Sequence, residues 1–379
     1  MIDLEKYNYD LPEALIRKQG VEPRDSARLF VYDTKTDTVT HTVFSELPNF
    51  LPENSVMVLN NTKVVPARLF LKKETGGKIE VFILANEIDL HSCGTNTEIP
   101  VLVDRKCLVG WKLSFPNGDY FEVVRQEANK FFVKLCPQTS LTPVLSQGER
   151  GLHTLEALLE KYGETPIPHY LEDTKPRPRT GLEGTLDGNE NETTLRKRYQ
   201  TIFAVNGASV AAPTASLHFT EQVFFDLDAK GVEFAEVTLD VGLGTFAPLK
   251  DEHFESRKLH SEKISVSEEA VQTINCAKNE DRQIIAVGTT AMRTLESCAV
   301  GERLQASKKN TDIFIYPPYH FQIADILLTN FHLPKSSLML LVDAFLEDKK
   351  AKRNIMDLYA IAIEEGYAFY SFGDSMLIL

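Results

Sequence analysis

The chain has 379 residues, of which 43% are hydrophobic and 25% are charged. This composition is typical of a water-soluble protein of two or three domains. Residues 1–10 are polar and acidic, unlike a signal peptide, and no apolar run is long enough to span a bilayer. The five cysteines form no CxxC pair, which argues against a disulfide framework or zinc ribbon and favours the reducing cytoplasm.

The formal net charge of −13 by itself argues against binding to nucleic acid, because phosphate contacts need lysine and arginine. An acidic protein can nevertheless carry a local basic face. Two clusters could form such a face, and the alternative is that each is an ordinary solvated surface. The candidate RNA-binding residues are Lys63, Arg68, Arg196, Lys197 and Arg198.

The first half of the chain begins with two apparent strands and then changes character. Residues 28–33 and 56–59 read as strands of a larger unit. From about residue 64 to residue 136, short strands alternate with tight turns and no long helix is expected. This pattern predicts a small antiparallel β-barrel or sheet, inserted as a domain at 64–150.

The second half alternates strands with helices and therefore predicts an α/β domain formed by residues 1–63 and 151–379. Within it, residues 173–194 are rich in proline, glycine and charge, and we expect an exposed, mobile loop there. The expected helices are 221–230, 268–279, a helix that ends at 297, and 336–346. The expected strands are 233–241, 284–287 and 325–328.

Glycine-rich and threonine-rich segments follow two of these strands. The segment 242–247 matches GxGxxA, but Pro248 follows at once, so we reject a dinucleotide-binding fingerprint and keep only a close approach of backbone to ligand. The segment Gly288, Thr289, Thr290 precedes a helix, whose free amides favour an anion. Arg293 can pair with the same anion, or it can form an ion pair with Glu296.

Several titratable and aromatic residues invite a functional interpretation and have a plainer structural one. His218 and His332 suit proton transfer near neutral pH, although a histidine beside phenylalanine is more often a core residue. Tyr319 offers an aromatic face that can stack on a base or simply pack. By themselves these features indicate an α/β enzyme with a polar crevice and do not specify a reaction.

Twelve segments spread in order along the chain resemble the S-adenosylmethionine:tRNA ribosyltransferase-isomerase family of queuosine biosynthesis. They are YDLPEALI (9–16), EPRDSARL (22–29), LNNTKVVPARL (59–69), ETGGKIEV (74–81), RYQTIFA (198–204), AAPTASLHFT (211–220), VTLDVGLGTFAP (237–248), KLHSEK (258–263), VGTTAMRTLES (287–297), TDIFIYPPYHF (311–321), LLTNFHLPKSSLMLLV (327–342) and YSFGDSMLI (370–378). One departure is Ser216, where the family usually has glycine.

The resemblance implies a transferase that moves the ribosyl part of S-adenosylmethionine onto 7-aminomethyl-7-deazaguanine in tRNA, with release of adenine and methionine. S-adenosylmethionine is then a consumed co-substrate, tRNA is the partner, and neither a metal nor a membrane is implied. We expect a monomer. An RNA-binding paralogue or an S-adenosylmethionine methyltransferase are the alternatives.

Four segments flank strands of the larger unit, where α/β sites form, so we expect them to converge on one crevice. They are AAPTASLHFT (211–220), VGLGTF (241–246), VGTTAMRTLES (287–297) and TNFHLPKS (329–336). The expected substrate-binding residues are Thr214, Ser216, Gly242, Gly244, Thr245, Gly288, Thr289, Thr290, Arg293, Tyr319, Asn330 and Lys335. The expected proton-transfer residues are His218 first, His332 second, and more weakly Asp240 and Glu262.

Overall fold

A computed structural model describes residues 2–138, 154–167, 192–246 and 248–379. Contacts between Cα atoms divide the chain into two compact units. The larger unit contains Met1–Lys63, Arg198–Gly207 and Ala212–Leu379, and the smaller contains Val64–Lys197 and Ala208–Ala211. The chain therefore passes through the smaller unit between two parts of the larger one.

The described strands in chain order are β1 (Arg28–Asp33), β2 (Thr38–Val43), β3 (Val56–Asn60), β4 (Thr62–Val64), β5 (Arg68–Lys73), β6 (Lys78–Ile83), β7 (Ile99–Val103), β8 (Lys112–Ser114), β9 (Tyr120–Glu127), β10 (Lys130–Cys136), β11 (Asn206–Ser209), β12 (Glu233–Asp240), β13 (Lys258–Val266), β14 (Ile284–Val287), β15 (Ala299–Val300), β16 (Arg303–Leu304), β17 (Ser307–Ile313), β18 (Ile326–Asn330) and β19 (Ser375–Ile378). The described α-helices are Leu47–Phe50, Leu155–Tyr162, Glu192–Arg198, Glu221–Ala229, Asp251–Ser256, Glu268–Asn279, Gly288–Cys298, Ser337–Asp348 and Ile355–Glu364.

The larger unit is built on a mixed sheet with the strand order β17-β13-β12-β3-β14-β18-β19-β1-β2. Four adjacent strands, β12, β3, β14 and β18, run parallel to one another. Every residue of β3, β14 and β18 is buried, as expected for parallel strands covered on both faces. The carboxyl ends of these four strands therefore meet at one edge of the sheet, where ligand crevices of α/β proteins open.

Helices with side-chain caps flank this sheet. Ser267 accepts a hydrogen bond from the amide of Ala270 and so caps Glu268–Asn279, while Ser336 caps Ser337–Asp348 in the same way. The helix Gly288–Cys298 follows β14 directly, and ten of its eleven residues are buried. It begins at Gly288, earlier than the sequence indicates, and no side chain caps it.

The smaller unit is a six-stranded antiparallel sheet with the strand order β10-β7-β6-β5-β8-β9, in which β9 also pairs with β10. The short strands and tight turns predicted for this region include the hairpins β5–β6 and β8–β9. The unit extends past residue 150, the predicted end of the inserted domain, because the helix Leu155–Tyr162 buries Leu155, Leu158 and Leu159 in this core.

The mixed α/β class of the larger unit and the antiparallel class of the smaller unit confirm the predicted fold at that level. Most of the predicted loop 173–194 lies outside the described residues. Its last three residues begin the helix Glu192–Arg198 instead, in which Glu192 accepts hydrogen bonds from the amide and hydroxyl of Thr165. Within the described ranges, no helix combines the length and apolar character needed to cross a membrane.

Candidate functional site

The larger unit presents a group of polar residues, most of them buried, at the carboxyl ends of its parallel strands. Asn60, Asp240 and Asn330 end β3, β12 and β18, and Gly288 follows β14. The 3-10 helix Thr214–Ser216 joins them, because the Thr214 hydroxyl donates to Asn330 Oδ1 at 2.9 Å. We call this group the sheet-edge site. Thr214, Gly288 and Asn330 belong to three of the four segments expected to converge. The fourth segment contributes Gly242, which is described next.

A buried ion pair anchors one side of the sheet-edge site. Arg293, in the helix after β14, pairs through Nη1 with Glu262 Oε2 on β13, and both side chains are at most 4% exposed. Glu262 Oε1 accepts the amide of Gly242 at 3.0 Å, which ties the loop after β12 to the same pair. The arginine partner is thus Glu262 and not the neighbouring Glu296, which the sequence offered as an alternative.

Gly288 packs closely against the 3-10 helix. It has φ = +84°, and a Cβ placed there would lie 3.6 Å from the Cβ of Ala215. This conformation favours glycine and allows the backbone to turn directly from strand into helix. Thr289 and Thr290 follow in the uncapped first turn and are buried.

Several buried polar atoms around this edge have no hydrogen-bond partner among the described residues. They are Ser216 Oγ, Thr290 Oγ1, and Nε and Nη2 of Arg293. Thr290 and Arg293 are three residues apart and so lie on one helix face, and Ser216 adjoins the contact with Gly288. Buried donors are nearly always satisfied in native proteins, so this concentration indicates a polar ligand.

His218 is 4% exposed, and its ring lies 5.3 Å from the ring of Phe44. Burial lowers the pKa of His218 to about 4, and the opposing effect of Asp374 is smaller. The imidazole is therefore neutral at neutral pH. Its Nε2 has no partner among the described residues, and the ring lines a small pocket with Arg24 and Phe372.

His332 is also buried, but both of its ring nitrogens have neighbours. Nε2 lies 3.3 Å from the hydroxyl of Thr329, and Nδ1 lies 3.4 Å from the hydroxyl of Tyr359. The Tyr359 hydroxyl also accepts the amide of His332, and the Tyr9 hydroxyl donates to the His332 carbonyl. Burial lowers the pKa of His332 to about 3. These contacts are typical of a core histidine.

The last residue of β12 and the loop after it provide three further expected residues. The Asp240 carboxylate is half-buried and accepts a hydrogen bond of 2.7 Å from the hydroxyl of Thr62. Gly244 lies in the 3-10 helix Leu243–Phe246, where a Cβ would come within 2.3 Å of the His260 ring. Its lack of a side chain therefore permits close packing, and the side chain of Thr245 lies outside the described part of the chain.

Two expected substrate contacts have protein partners instead. The Tyr319 hydroxyl donates to Glu296 at 3.1 Å, and its ring lies 4.9 Å from that of Phe321. Burial raises the pKa of Glu296, and that carboxyl also accepts two backbone amides. Lys335 forms an ion pair with Glu5 at 2.7 Å. Neither side chain belongs to the sheet-edge site as observed.

The basic residues fall into two groups. Lys63 and Lys197 are exposed. Arg68 pairs with Glu80 at 3.2 Å. Arg196 pairs with Glu160 at 2.8 Å and Glu192 at 3.1 Å and also donates to the carbonyl of Gly163, so its guanidinium holds the smaller unit together.

Sequence reasoning did not single out Asp374 or Arg24. Asp374 is fully buried and forms an ion pair with Arg17 at 2.9 Å. Its carboxylate also accepts hydrogen bonds from the backbone amides of Arg28 and Ala368. Its carbonyl accepts the amide group of Asn330, which links it to the sheet-edge site. The segments EPRDSARL and YSFGDSMLI contain both residues, but only the fold brings them near His218.

Comparison with known proteins identifies the family. The sequence profile described as "Queuosine biosynthesis protein" matches residues 4–378. The chain belongs to this family. A relative from Carboxydothermus hydrogenoformans, named S-adenosylmethionine:tRNA ribosyltransferase-isomerase, is 39% identical over 99% of both chains. One of the same name from Desulfitobacterium hafniense is 41% identical over 99% of both.

A solved structure agrees with this assignment. The crystal structure of S-adenosylmethionine tRNA ribosyltransferase from Thermotoga maritima matches 99% of this chain and 100% of its own, with 30% identity and a TM-score of 0.52. The resemblance read from the sequence is thereby confirmed, as is the transferase class of the family. Among the described residues, no three potential ligands are grouped so as to hold a metal ion.

Proposed function

We propose that the chain transfers and isomerises the ribosyl part of S-adenosylmethionine onto 7-aminomethyl-7-deazaguanine in tRNA, forming epoxyqueuosine and releasing adenine and methionine. Full-length relatives that carry the name of this activity support the proposal. It also rests on one structural observation, the unpartnered buried polar atoms of Ser216, Thr290 and Arg293 at the sheet edge. We also propose that the six-stranded sheet of the smaller unit is a barrel.

The sheet-edge site offers two kinds of chemistry to S-adenosylmethionine. The guanidinium of Arg293, oriented by Glu262, can donate two hydrogen bonds to the carboxylate of the methionyl part. The uncapped amides of the first helical turn favour the same negative charge. Exclusion of water at this edge strengthens both interactions.

The reaction needs a proton removed from the ribosyl carbon beside the sulfonium and a proton handled as adenine leaves. A neutral imidazole with an open nitrogen can accept a proton. His218 meets this description, since burial keeps it neutral and its Nε2 lacks a protein partner. We therefore assign proton transfer to His218, and Glu262 to orienting Arg293.

The decisive experiment combines the purified protein with S-adenosylmethionine and tRNA containing 7-aminomethyl-7-deazaguanine. We expect adenine and methionine in equal amounts, and epoxyqueuosine in the digested tRNA, by mass spectrometry. S-adenosylhomocysteine would instead favour a methyltransferase. Binding of tRNA without either product would favour an RNA-binding protein.

The assignment of Arg293 gives a prediction of its own. Arg293→Lys keeps a cation beside Glu262 but removes the Nε and Nη2 donors, so we expect KM for S-adenosylmethionine to rise about 10-fold or more, as for loss of a charged hydrogen bond of roughly 1.5–3 kcal/mol. Arg293→Ala should also raise this KM, and the variant should unfold more easily, because the buried Glu262 carboxylate loses its guanidinium partner. An unchanged KM in Arg293→Lys for both substrates would contradict the assignment.

A further inference from the structure

Ser375 is a buried polar residue next to the sheet-edge site. It begins β19 and pairs in register with Asn330, the last residue of β18. Its side chain is fully buried, and its hydroxyl has no hydrogen-bond partner among the described residues. Buried hydroxyls in native proteins nearly always have a partner, so we expect a group from outside the chain to satisfy this one.

Strand register places the Ser375 side chain on the face of the sheet that carries the 3-10 helix of the sheet-edge site. Leu328 on β18 pairs with Leu377 on β19, and both pack in one hydrophobic core with Ala215 of that 3-10 helix. Side chains two residues apart on a strand point to the same face. Asn330 and Ser375 therefore point to the 3-10 helix as well.

The side-chain amide of Asn330 can share a ligand with Ser375. Directly opposed residues on neighbouring antiparallel strands have Cβ atoms about 4.5–5.5 Å apart. Among the described residues, Asn330 Oδ1 accepts the hydroxyl of Thr214, and Nδ2 donates to the carbonyl of Asp374. A carboxamide has two N–H donors and two acceptor lone pairs. One donor and one lone pair of Asn330 therefore remain for a ligand.

His218 lies near the same end of β19. Its ring lines a pocket with Phe372, which is three residues before Ser375. Burial lowers the pKa of His218, and the carboxylate of Asp374, the residue before Ser375, partly opposes this. The imidazole, the hydroxyl of Ser375 and the amide of Asn330 thus lie around the start of one strand.

The chemistry of these three groups differs from that of the Arg293–Glu262 pair. A neutral imidazole, a hydroxyl and a carboxamide carry no charge, and each can both donate and accept hydrogen bonds. They suit the hydroxyl groups of a sugar, whereas a carboxylate is matched by a guanidinium. The proposed function has His218 act on the ribosyl carbon beside the sulfonium, so its polar neighbours are placed to contact the same ribosyl ring.

We propose that Ser375, together with Asn330, binds a ribosyl hydroxyl of S-adenosylmethionine and so positions the ribosyl ring against His218. The inference rests on the proposed function, which supplies this substrate and the role of His218. The Arg293–Glu262 pair then holds the methionyl part of the same molecule. The site thereby fixes the substrate on both sides of the reacting sulfonium.

The test compares Ser375→Ala with Ser55→Ala. Ser55 is also fully buried, but it precedes β3 at the opposite edge of the sheet, and its hydroxyl donates to the carbonyl of Pro52. Equilibrium dialysis measures the affinity for S-adenosylmethionine in the presence of tRNA that carries guanine at the modified position, which offers no aminomethyl group and so permits no turnover. The same measurement is made with analogues that lack the 2′-hydroxyl or the 3′-hydroxyl of the ribosyl ring.

We expect Ser375→Ala to bind S-adenosylmethionine about 5-fold or more weakly, because the ribosyl hydroxyl is left buried without its partner. The analogue that lacks this hydroxyl should bind Ser375→Ala and the wild type equally. Ser55→Ala should keep the wild-type affinity for all three compounds. Thermal unfolding without substrate should give the reverse order: Ser55→Ala loses a hydrogen bond within the protein and unfolds at a lower temperature, whereas Ser375→Ala does not.

An unchanged affinity in Ser375→Ala would overturn the proposal. An equal loss for S-adenosylmethionine and both analogues would also overturn it, because the hydroxyl of Ser375 would then act on the fold or on the adenine. A loss of affinity for tRNA alone, measured by filter binding, would assign this hydroxyl to the RNA and overturn the proposal as well.

These measurements need no turnover, so the proposed reaction is tested separately by adenine release. If the wild type released no adenine but Ser375→Ala showed the expected dependence on the analogue, the reaction would be wrong and the assignment of Ser375 would stand. If the wild type released adenine and the analogues showed no such dependence, only the assignment of Ser375 would be wrong. A wild-type protein that bound no S-adenosylmethionine would overturn both.

Discussion

His218 and His332 are both buried, yet their rings differ in what they contact. The nitrogens of His332 lie beside the hydroxyls of Thr329 and Tyr359, whereas Nε2 of His218 faces a pocket. Tyr359 is 27 residues from His332, so its position depends on how the helix Ile355–Glu364 packs. The sequence could therefore predict two candidate histidines but could not rank them by their surroundings.

We predict that His218→Ala loses at least ~100-fold in turnover, the lower end for removal of a general acid or base. S-adenosylmethionine should still bind, because the carboxylate is assigned to Arg293 and not to the imidazole. The matched control is His320→Ala, whose ring is exposed and paired with Asp348. Adenine release at saturating substrate measures the effect. Near-native turnover would return His218 to the class of core histidines.

His332 gives a prediction about stability and pH. Its pKa is about 3 in the folded protein, below about 6.5 for an unfolded histidine. Between these values the unfolded state binds more protons, so stability is fully present above pH 6.5 and falls as pH decreases. The expected slope is about 1.4 kcal/mol per pH unit.

His332→Gln removes this titration. Urea unfolding between pH 6 and pH 5 should therefore give a shallower dependence for the variant than for the wild type, by about 1 kcal/mol over that interval. His41→Gln is a suitable comparison, because its ring Nδ1 already contacts the hydroxyl of Tyr367 at 2.9 Å. Equal slopes in His332→Gln and the wild type would show that burial does not displace this pKa.

At the scale of elements, local signals predicted some parts of the sheet-edge site and missed others. The strands β12 and β14 and the helix Glu268–Asn279 have strong hydrophobic patterns and serine or glycine boundaries, and the structure places them within a residue of the predicted ends. The last two strands on one side of the sheet, β13 and β17, are rich in lysine and serine, so nothing local indicates a strand. They exist because they pair with each other and β12.

The turn into the helix Gly288–Cys298 gives a prediction that separates backbone strain from function. Gly288 and Gly301 both have positive φ, +84° and +59°, so alanine at either position should cost about 1–2 kcal/mol. Gly301 lies in the exposed turn between β15 and β16, with nothing within 4 Å of an added Cβ. Only Gly288→Ala displaces the first helical turn at the sheet-edge site.

We therefore expect similar losses of stability in Gly288→Ala and Gly301→Ala, measured by chemical unfolding. KM for S-adenosylmethionine should rise in Gly288→Ala and stay at the wild-type value in Gly301→Ala. If both variants kept the wild-type KM, the amides of this turn would have no part in binding that substrate.

At the scale of the whole molecule, the net charge of −13 must be reconciled with a polyanionic substrate. Composition shows how many cations there are but not which already have partners. Arg68 pairs with Glu80, and Arg196 pairs with Glu160 and Glu192, so a phosphate would have to compete with these carboxylates. Lys63 is exposed and remains the strongest candidate of the two predicted clusters, and Lys197 is exposed as well.

We predict that tRNA binding is salt-sensitive and that Lys63→Gln lowers the slope of log affinity against log salt by about 0.7–0.9, the value for one phosphate contact. Lys197→Gln should lower this slope by a similar amount if the cluster at residues 196–198 contacts the tRNA. Arg196→Gln is the matched comparison, since it should lower the unfolding temperature through loss of its contacts with Glu160, Glu192 and Gly163 and leave the slope unchanged. Filter binding at several salt concentrations measures the slopes. An unchanged slope in both lysine variants would assign these clusters to the solvated surface, because an acidic protein that contacts phosphate must release counterions wherever the contact is made.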